Sequence, residues 1–223
     1  MTDYLEQLSY CIEKGRVNKD STYPPDMKGL PGAVELTEKA LQNQILPYDV
    51  LNLGLLPGMK IVGDKFKEGK IFLPEVLISA KAMSRAMELL KPYFQSGEIN
   101  YKGKVIMGTV AGDLHDIGKN IVKMVLEGGG WQVLDLGTNV NAEKFIEAIK
   151  TNFAKVVGLS ALLTTTMQNM NEIVKMIKSE TQDVIVVIGG APVSKAFANS
   201  INADEYFPDP QGMLDYLNQK MNV

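Results

Sequence analysis

The chain contains one histidine, His115, and one cysteine, Cys11. His115 lies in GTVAGDLHDIGKN, two residues after Asp113 and three before Gly118. A carboxylate that accepts one ring N–H of an imidazole leaves the other ring nitrogen with its lone pair. That arrangement orients and strengthens histidine metal ligands. One imidazole holds a free divalent ion poorly. It can, however, complete the coordination of a metal whose equatorial positions are filled by a macrocycle. A haem or corrinoid therefore suits a single histidine better than zinc does. Gly118 opens the next helix without a side chain, so a bulky group can come close. The loop is not GxGxxG and lacks the Gly-Lys-Thr/Ser ending of a P-loop, which makes a flavin or nucleotide site the weaker reading. A lone cysteine excludes an intramolecular disulfide framework and a Cys-rich zinc site. Cys11 reads as inert helix core.

These residues need elements to carry them. The 223 residues allow one large domain or two small ones, at ~100–200 residues per domain. Hydrophobic residues make up 45% and charged residues 22%, values of a globular chain able to bury real cores. The net charge of −3 points to no nucleic-acid partner and no anionic membrane surface. No run approaches the ~18–20 apolar residues of a transmembrane span. MTDYLEQLSY lacks the basic and apolar regions of a secretory signal, so a cytoplasmic protein is expected.

Residues 1–95 read as a helical bundle domain. Tyr4, Leu5, Leu8 and Ile12 recur at helical spacing up to Gly15. A turn-rich insert over 17–32 follows, to be a surface loop or a partner surface. Three more helical segments complete a small antiparallel bundle, with Pro47 and Pro74 at helix starts. Gly54, Pro57 and Gly58 imply a kink or break in the third helix. Residues 96–103 read as a linker and natural hinge. Residues 104–223 alternate strand and helix five times, which argues for a doubly wound, five-stranded parallel sheet. Its ligand would lie beyond the C-terminal strand ends. Gly112, Asp113 and His115 follow the first strand there, Ser160 and Thr164 the third, Gly189 and Gly190 the fourth, and Tyr206 and Asp209 the fifth. The twelve methionines fall mostly at apolar helix positions and read as core filler.

D-x-H-x-x-G at Asp113, His115 and Gly118, S-x-L at Ser160 and Leu162, and the pair Gly189–Gly190 occur in that order on the strand ends. Together they resemble the cobalamin-binding module of methionine synthase and of corrinoid methyl-carrier proteins. GMKIVGDKFKEGKIFLPEVLISAKAM is similar to that family's helical cap. The likeness covers about residues 30–210 and is greatest to free-standing corrinoid proteins of anaerobic methyltransferase systems.

The resemblance implies a helical cap joined to a flavodoxin-like (Rossmann-type) α/β domain that binds cobalamin or a related corrinoid base-off. His115 would be the axial cobalt ligand, with Asp113 and Thr166 as a hydrogen-bonded relay behind it. Gly112, Leu114, Asp116, Ile117 and Gly118 would complete the loop under the corrin. Ser160, Leu162, Thr164, Gly189, Gly190, Tyr206 and Asp209 would line the slot for the displaced nucleotide tail. Phe66, Leu73, Val76 and Leu77 match cap positions above the corrin.

The implied activity is carriage of a methyl group, with methylcobalamin as the intermediate. A substrate-specific methyltransferase would supply the methyl group and a pterin- or thiol-directed methyltransferase would receive it. A reductive activating protein is a further expected partner. The chain would be a carrier subunit with no substrate pocket of its own, its donor a methylamine, betaine or methoxyaromatic. The alternatives are the cobalamin-binding subunit of an adenosylcobalamin-dependent mutase, which has no need of the FLPEVLISA cap, and a cobalamin-binding sensor, which would want a DNA-binding module. The sequence departs from the family at INADEYF, where Asn202 and Glu205 replace glycines, and at Pro210, where alanine is usual.

Overall fold

The structure, a computed structural model, describes residues 2–181 and 183–221. It divides into two compact units, Met1–Tyr101 with Glu127–Gly130, and Lys102–Leu126 with Trp131–Val223.

The first unit is helical. It comprises α1 (Thr2–Lys14), α2 (Ala33–Gln42), α3 (Pro47–Asp49), a π-helical turn (Val50–Leu55), α4 (Leu56–Lys67) and α5 (Leu73–Ser96). Pro47 opens α3 and Pro74 sits in the first turn of α5, where a missing N–H costs nothing. The kink or break expected near Gly54 is a change of helix type, a π-helical turn over Val50–Leu55 that leads directly into α4. The glycines there serve packing. A Cβ on Gly54 would lie 2.9 Å from Leu8 Cδ2, and one on Gly58 would lie 2.5 Å from the Ser9 carbonyl oxygen. Both atoms belong to α1, whose Leu8, Cys11 and Ile12 are buried. Burial pushes the Cys11 thiol up to about 11, which keeps it protonated and unreactive.

The 17–32 insert is built around the fully buried Arg16. Arg16 Nη1 donates to the carbonyls of Ser21 at 2.5 Å and Tyr23 at 3.4 Å. Nη2 donates to those of Lys19 at 3.1 Å and Leu30 at 2.9 Å. Glu35, in the first turn of α2, fastens the far end by accepting from the amides of Gly32 at 2.9 Å and Lys19 at 3.0 Å. After α5 the chain turns at Gly97, φ +81°, buries Ile99 and stacks Tyr101 on Phe94 at 3.9 Å between ring centroids.

The second unit is a five-stranded parallel sheet with strand order β2-β1-β3-β4-β5. The strands are β1 (Lys104–Thr109), β2 (Gln132–Asp135), β3 (Val156–Ser160), β4 (Ile185–Gly189) and β5 (Glu205–Tyr206). They alternate with α6 (Ile117–Gly128), α7 (Ala142–Asn152), α8 (Thr164–Met167) with α9 (Asn169–Glu180), α10 (Lys195–Ser200) and α11 (Pro210–Lys220). The apolar runs VVGLS and IVVIG are those of strands covered on both faces. The order in which strands are added reverses between β1 and β3, the switch point at which such sheets bind ligands. The register sets Thr109, Ser160 and Gly189 side by side at that rim. The helix read over Thr165 to Glu180 is interrupted only at Gln168, between α8 and α9, and Gln168 itself keeps right-handed helical backbone angles, φ −62° and ψ −28°. Among the described residues no helix is long and apolar enough to cross a membrane.

Burial would raise the Glu35 carboxyl, but the amides of Lys19 and Gly32 outweigh it and hold the group below its usual value. Its contribution is therefore full above the ordinary glutamate pKa of about 4.3 and fades as pH falls through the lowered folded value. Glu35→Gln should be less stable than the parent at neutral pH, by thermal or urea unfolding. The gap should close on acidification, and a gap independent of pH would contradict the assignment.

Candidate functional site

The site grows from the turn after β1. Gly112 takes φ +80°, and the turn closes with the Asp113 amide on the Val110 carbonyl at 3.1 Å. Asp113 is thereby carried inward, with no exposed surface. A buried carboxylate is costly unless donors surround it, and this one has five. Its Oδ1 accepts from the His115 amide at 3.1 Å and faces His115 Nδ1 at 2.8 Å. Its Oδ2 accepts from the amides of Leu162 at 2.8 Å and Leu163 at 3.3 Å, and from Thr166 Oγ1 at 2.6 Å.

Burial alone would raise the Asp113 carboxyl, but hydrogen bonds from Thr166, Leu162 and His115 hold it well below the usual carboxylate range. The carboxylate is ionised and accepts from His115 Nδ1–H, so Nε2 is the ring nitrogen left to meet a ligand. No protein group among the described residues bonds Nε2, and the His115 side chain is 50% exposed.

The surroundings of the imidazole are apolar and open. Leu114 is 73% exposed and Ile117 76%, with Leu162 and Leu163 also exposed. Such large apolar side chains rarely stand in water as a group without a ligand to cover them. A Cβ on Gly118 would meet nothing within 4 Å. Asp116 is exposed and accepts from Asn120 Nδ2 at 3.0 Å, fixing the first turn of α6.

Further along the rim, Ser160 is half-buried and Thr164 exposed. Gly189 is open, its nearest neighbour for an added Cβ being the Phe207 carbonyl at 4.0 Å. Gly190 is its opposite. It takes φ +130°, and a Cβ would fall 1.8 Å from the Ala161 carbonyl oxygen. Tyr206 packs against the core of the sheet. Asp209 caps α11, accepting from the Gly212 amide at 2.8 Å. Asn202 takes a left-handed conformation, φ +60°, which asparagine tolerates best of the residues other than glycine. Glu205 pairs with Lys195. In the first unit Phe66, Leu73 and Leu77 are half-buried, and Val76 is buried.

Two family profiles, each described as a B12 binding domain, match residues 103–209 and residues 31–91. A corrinoid protein of Desulfitobacterium hafniense is 37% identical over 83% of this chain and 88% of its own. The chain belongs to the corrinoid proteins. A dimethylamine corrinoid protein of Methanosarcina acetivorans is 40% identical over 78% of this chain and 82% of its own. The crystal structure of the methanol:cobalamin methyltransferase complex of Methanosarcina barkeri superposes with a TM-score of 0.82 at 28% identity, covering 99% of this chain and 80% of that one.

The residues present fit a corrinoid. A free ion would find one imidazole here, and among the described residues no group of three or more His, Cys, Asp or Glu side chains could hold it. A corrin ring brings four equatorial nitrogens and needs one axial donor, which Nε2 can be. The exposed leucines and Ile117 offer apolar contact to a broad flat ring.

Several residues of this corrinoid-protein site escaped the sequence reading. Asn139, φ +55°, accepts from the Gly112 amide at 2.8 Å. Asn169 Nδ2 donates to the Ala111 carbonyl at 2.7 Å. Lys119 and Asp135 form an ion pair beside the loop. The signals were present but faint, being a turn asparagine after β2 and a charge on the inward side of an amphipathic helix.

Gly190→Ala should cost about 1–3 kcal/mol from its φ alone, and more from the clash. Gly189→Ala should stay within about 0.5 kcal/mol of the parent. Urea unfolding of the corrinoid-free protein checks both, and equal effects would refute the contrast.

Proposed function

We propose that this chain carries a methyl group on a corrinoid bound base-off. It takes the group from a substrate-specific methyltransferase and yields it to a second methyltransferase directed at a pterin or a thiol. The reading rests on the Asp113–His115 pair, one imidazole backed by an ionised carboxylate on an apolar, open rim. Family membership and the likeness to a methyltransferase complex support it.

When bound, the corrinoid supplies a cobalt centre able to take up and release a methyl group. The chain's residues supply everything around that centre. His115 Nε2 would hold the cobalt, and Asp113 would tune its donor strength by accepting a hydrogen bond from Nδ1–H. Thr166 and the amides of Leu162 and Leu163 keep Asp113 ionised, so it remains an acceptor for that N–H. Leu114, Ile117, Leu162 and Leu163 exclude water from the ring's lower face. Gly189 leaves room for a nucleotide tail to approach the backbone, and Gly190 lets the chain pass close against Ala161 beside it. The role proposed for the first unit is to shield the cobalt, through the half-buried Phe66, Leu73 and Leu77. Val76 serves the bundle core. The protein is read as working in the cytoplasm, with a reductive activating protein as a further partner.

The test is to reconstitute the protein with cobalamin and record its spectrum. The parent should show a protein nitrogen on cobalt. His115→Ala should lack that nitrogen while keeping cobalamin through the tail, and an unchanged spectrum would sink the assignment. Asp113→Asn should weaken corrinoid affinity by about 10–100-fold, as loss of a ligand's hydrogen-bonded partner does. Methylation assays with the methyltransferase encoded beside this protein then test carriage itself, and failure with every methylated donor offered would count against it.

A further inference from the structure

Asp113 holds the His115 ring, yet the direction of the ring also depends on where the main chain carries it. A separate chain of contacts, arriving from the β2 side, holds that main chain. Thr109, the last residue of β1, is fully buried and donates from Oγ1 to the His115 carbonyl at 2.9 Å. The Thr109 amide donates to the Gly137 carbonyl at 2.9 Å. The Gly137 amide donates in turn to Asp135 Oδ1 at 2.9 Å. Asp135 then closes on Lys119, whose Nζ lies 2.6 Å and 2.5 Å from its two oxygens. Lys119 stands in the first turn of α6, four residues after His115, and its side chain is 2% exposed. The circuit thus leaves His115 through its carbonyl and returns through the helix that follows it. The neighbouring Asn139 adds a clasp, its amide donating to the Asp113 carbonyl at 3.0 Å.

A buried ion pair adds little net stability, because removing two charges from water costs about what their attraction returns. Two packed apolar residues would join α6 to β2 equally well. What an ion pair adds is direction, since its energy depends on where both groups point. The pair sits where direction matters to the axial donor. Burial would raise the Asp135 carboxyl, but Lys119, the Gly137 amide and Lys123 hold it below its usual range, so it is ionised at neutral pH.

We propose that Lys119, Asp135 and Thr109 are positioning residues that fix the main chain of His115 and so the direction of Nε2. This rests on the reading of His115 as the axial ligand. None of the three touches the ring, and each acts through the loop that carries it.

Two variants test the idea. Thr109→Val removes only the hydroxyl. Lys119→Met with Asp135→Leu removes the pair without stranding a buried charge. Each is loaded with cob(II)alamin, and the nitrogen splitting of the paramagnetic resonance signal reports the axial donor. The ratio of nitrogen-on to nitrogen-off cobalt should fall about tenfold, at the lower end of effects from groups behind a metal ligand. Cobalamin retained per protein should stay within about twofold. Unchanged ratios in both variants would overturn the proposal, as would a loss of melting temperature with the ratio intact. His115→Ala serves as the control. If it keeps the nitrogen splitting, the reading of His115 fails. If it loses the splitting and the other variants keep theirs, the positioning role alone fails.

Discussion

One buried negative charge organises the rim of the second unit. Asp113 has no exposed surface, and a carboxylate in that position is tolerable only with its lone pairs occupied. Its donors come from two places in the sequence. The His115 ring and amide belong to the loop after β1, whereas Leu162, Leu163 and Thr166 belong to the entry into α8 after β3. The charge therefore ties together the two strand ends that flank the switch point of the sheet. Oδ1 serves the loop after β1 and Oδ2 the entry into α8, so a single carboxylate joins the two loops. The dependence also runs outward. The inward Asp113 turns the imidazole by Nδ1, and the ring consequently presents Nε2 to the rim.

The strand register explains why so few residues suffice. Thr109, Ser160 and Gly189 are neighbours across three parallel strands, so each following loop starts from a fixed height. A loop with a fixed start needs only one or two further contacts to be defined. After β1 these are Thr109 on the His115 carbonyl and Asn139 on the Gly112 amide. After β4 the constraint is steric, since Gly190 lies so close to the Ala161 carbonyl that no side chain fits. Polar contacts thus shape the first loop and exclusion shapes the other, and the gap left open at Gly189 lies between them.

The alternation of strands and helices from residue 104 onward was legible because parallel strands read as apolar runs and their helices as amphipathic ones. The Asp113–His115 pair was legible because the two residues are close in sequence and only one histidine exists. Features that depend on distant neighbours were harder to read. Gly54 and Gly58 look like breaks locally, yet their lack of Cβ admits α1 side chains and main chain. The division between α8 and α9 leaves no mark in a continuous amphipathic stretch. Lys119 and Asp135 are sixteen residues apart, and nothing in a single sequence pairs them. Asn202, which by the resemblance stands where glycine is usual, looks like a lost turn, yet it adopts a positive φ of its own.

The insert over 17–32 applies the logic of Asp113 with the opposite charge. Arg16 is as buried as Asp113, and among the described residues no carboxylate forms an ion pair with it. Four main-chain carbonyls accept from it, those of Lys19, Ser21, Tyr23 and Leu30. Carbonyls spread over twelve residues of irregular chain thus converge on one planar fork, which suits guanidinium and not the point charge of a lysine. The convergence gives the insert a defined shape with one short 3-10 turn, Pro25–Met27, as its regular structure, so composition rich in Pro and Gly was a poor guide to its order. Arg16 Nε remains buried without a partner, a cost that the four other bonds must offset. In both units, then, a buried charge surrounded by groups from separate segments gives irregular chain its form. In the second unit the same device also leaves one nitrogen facing outward.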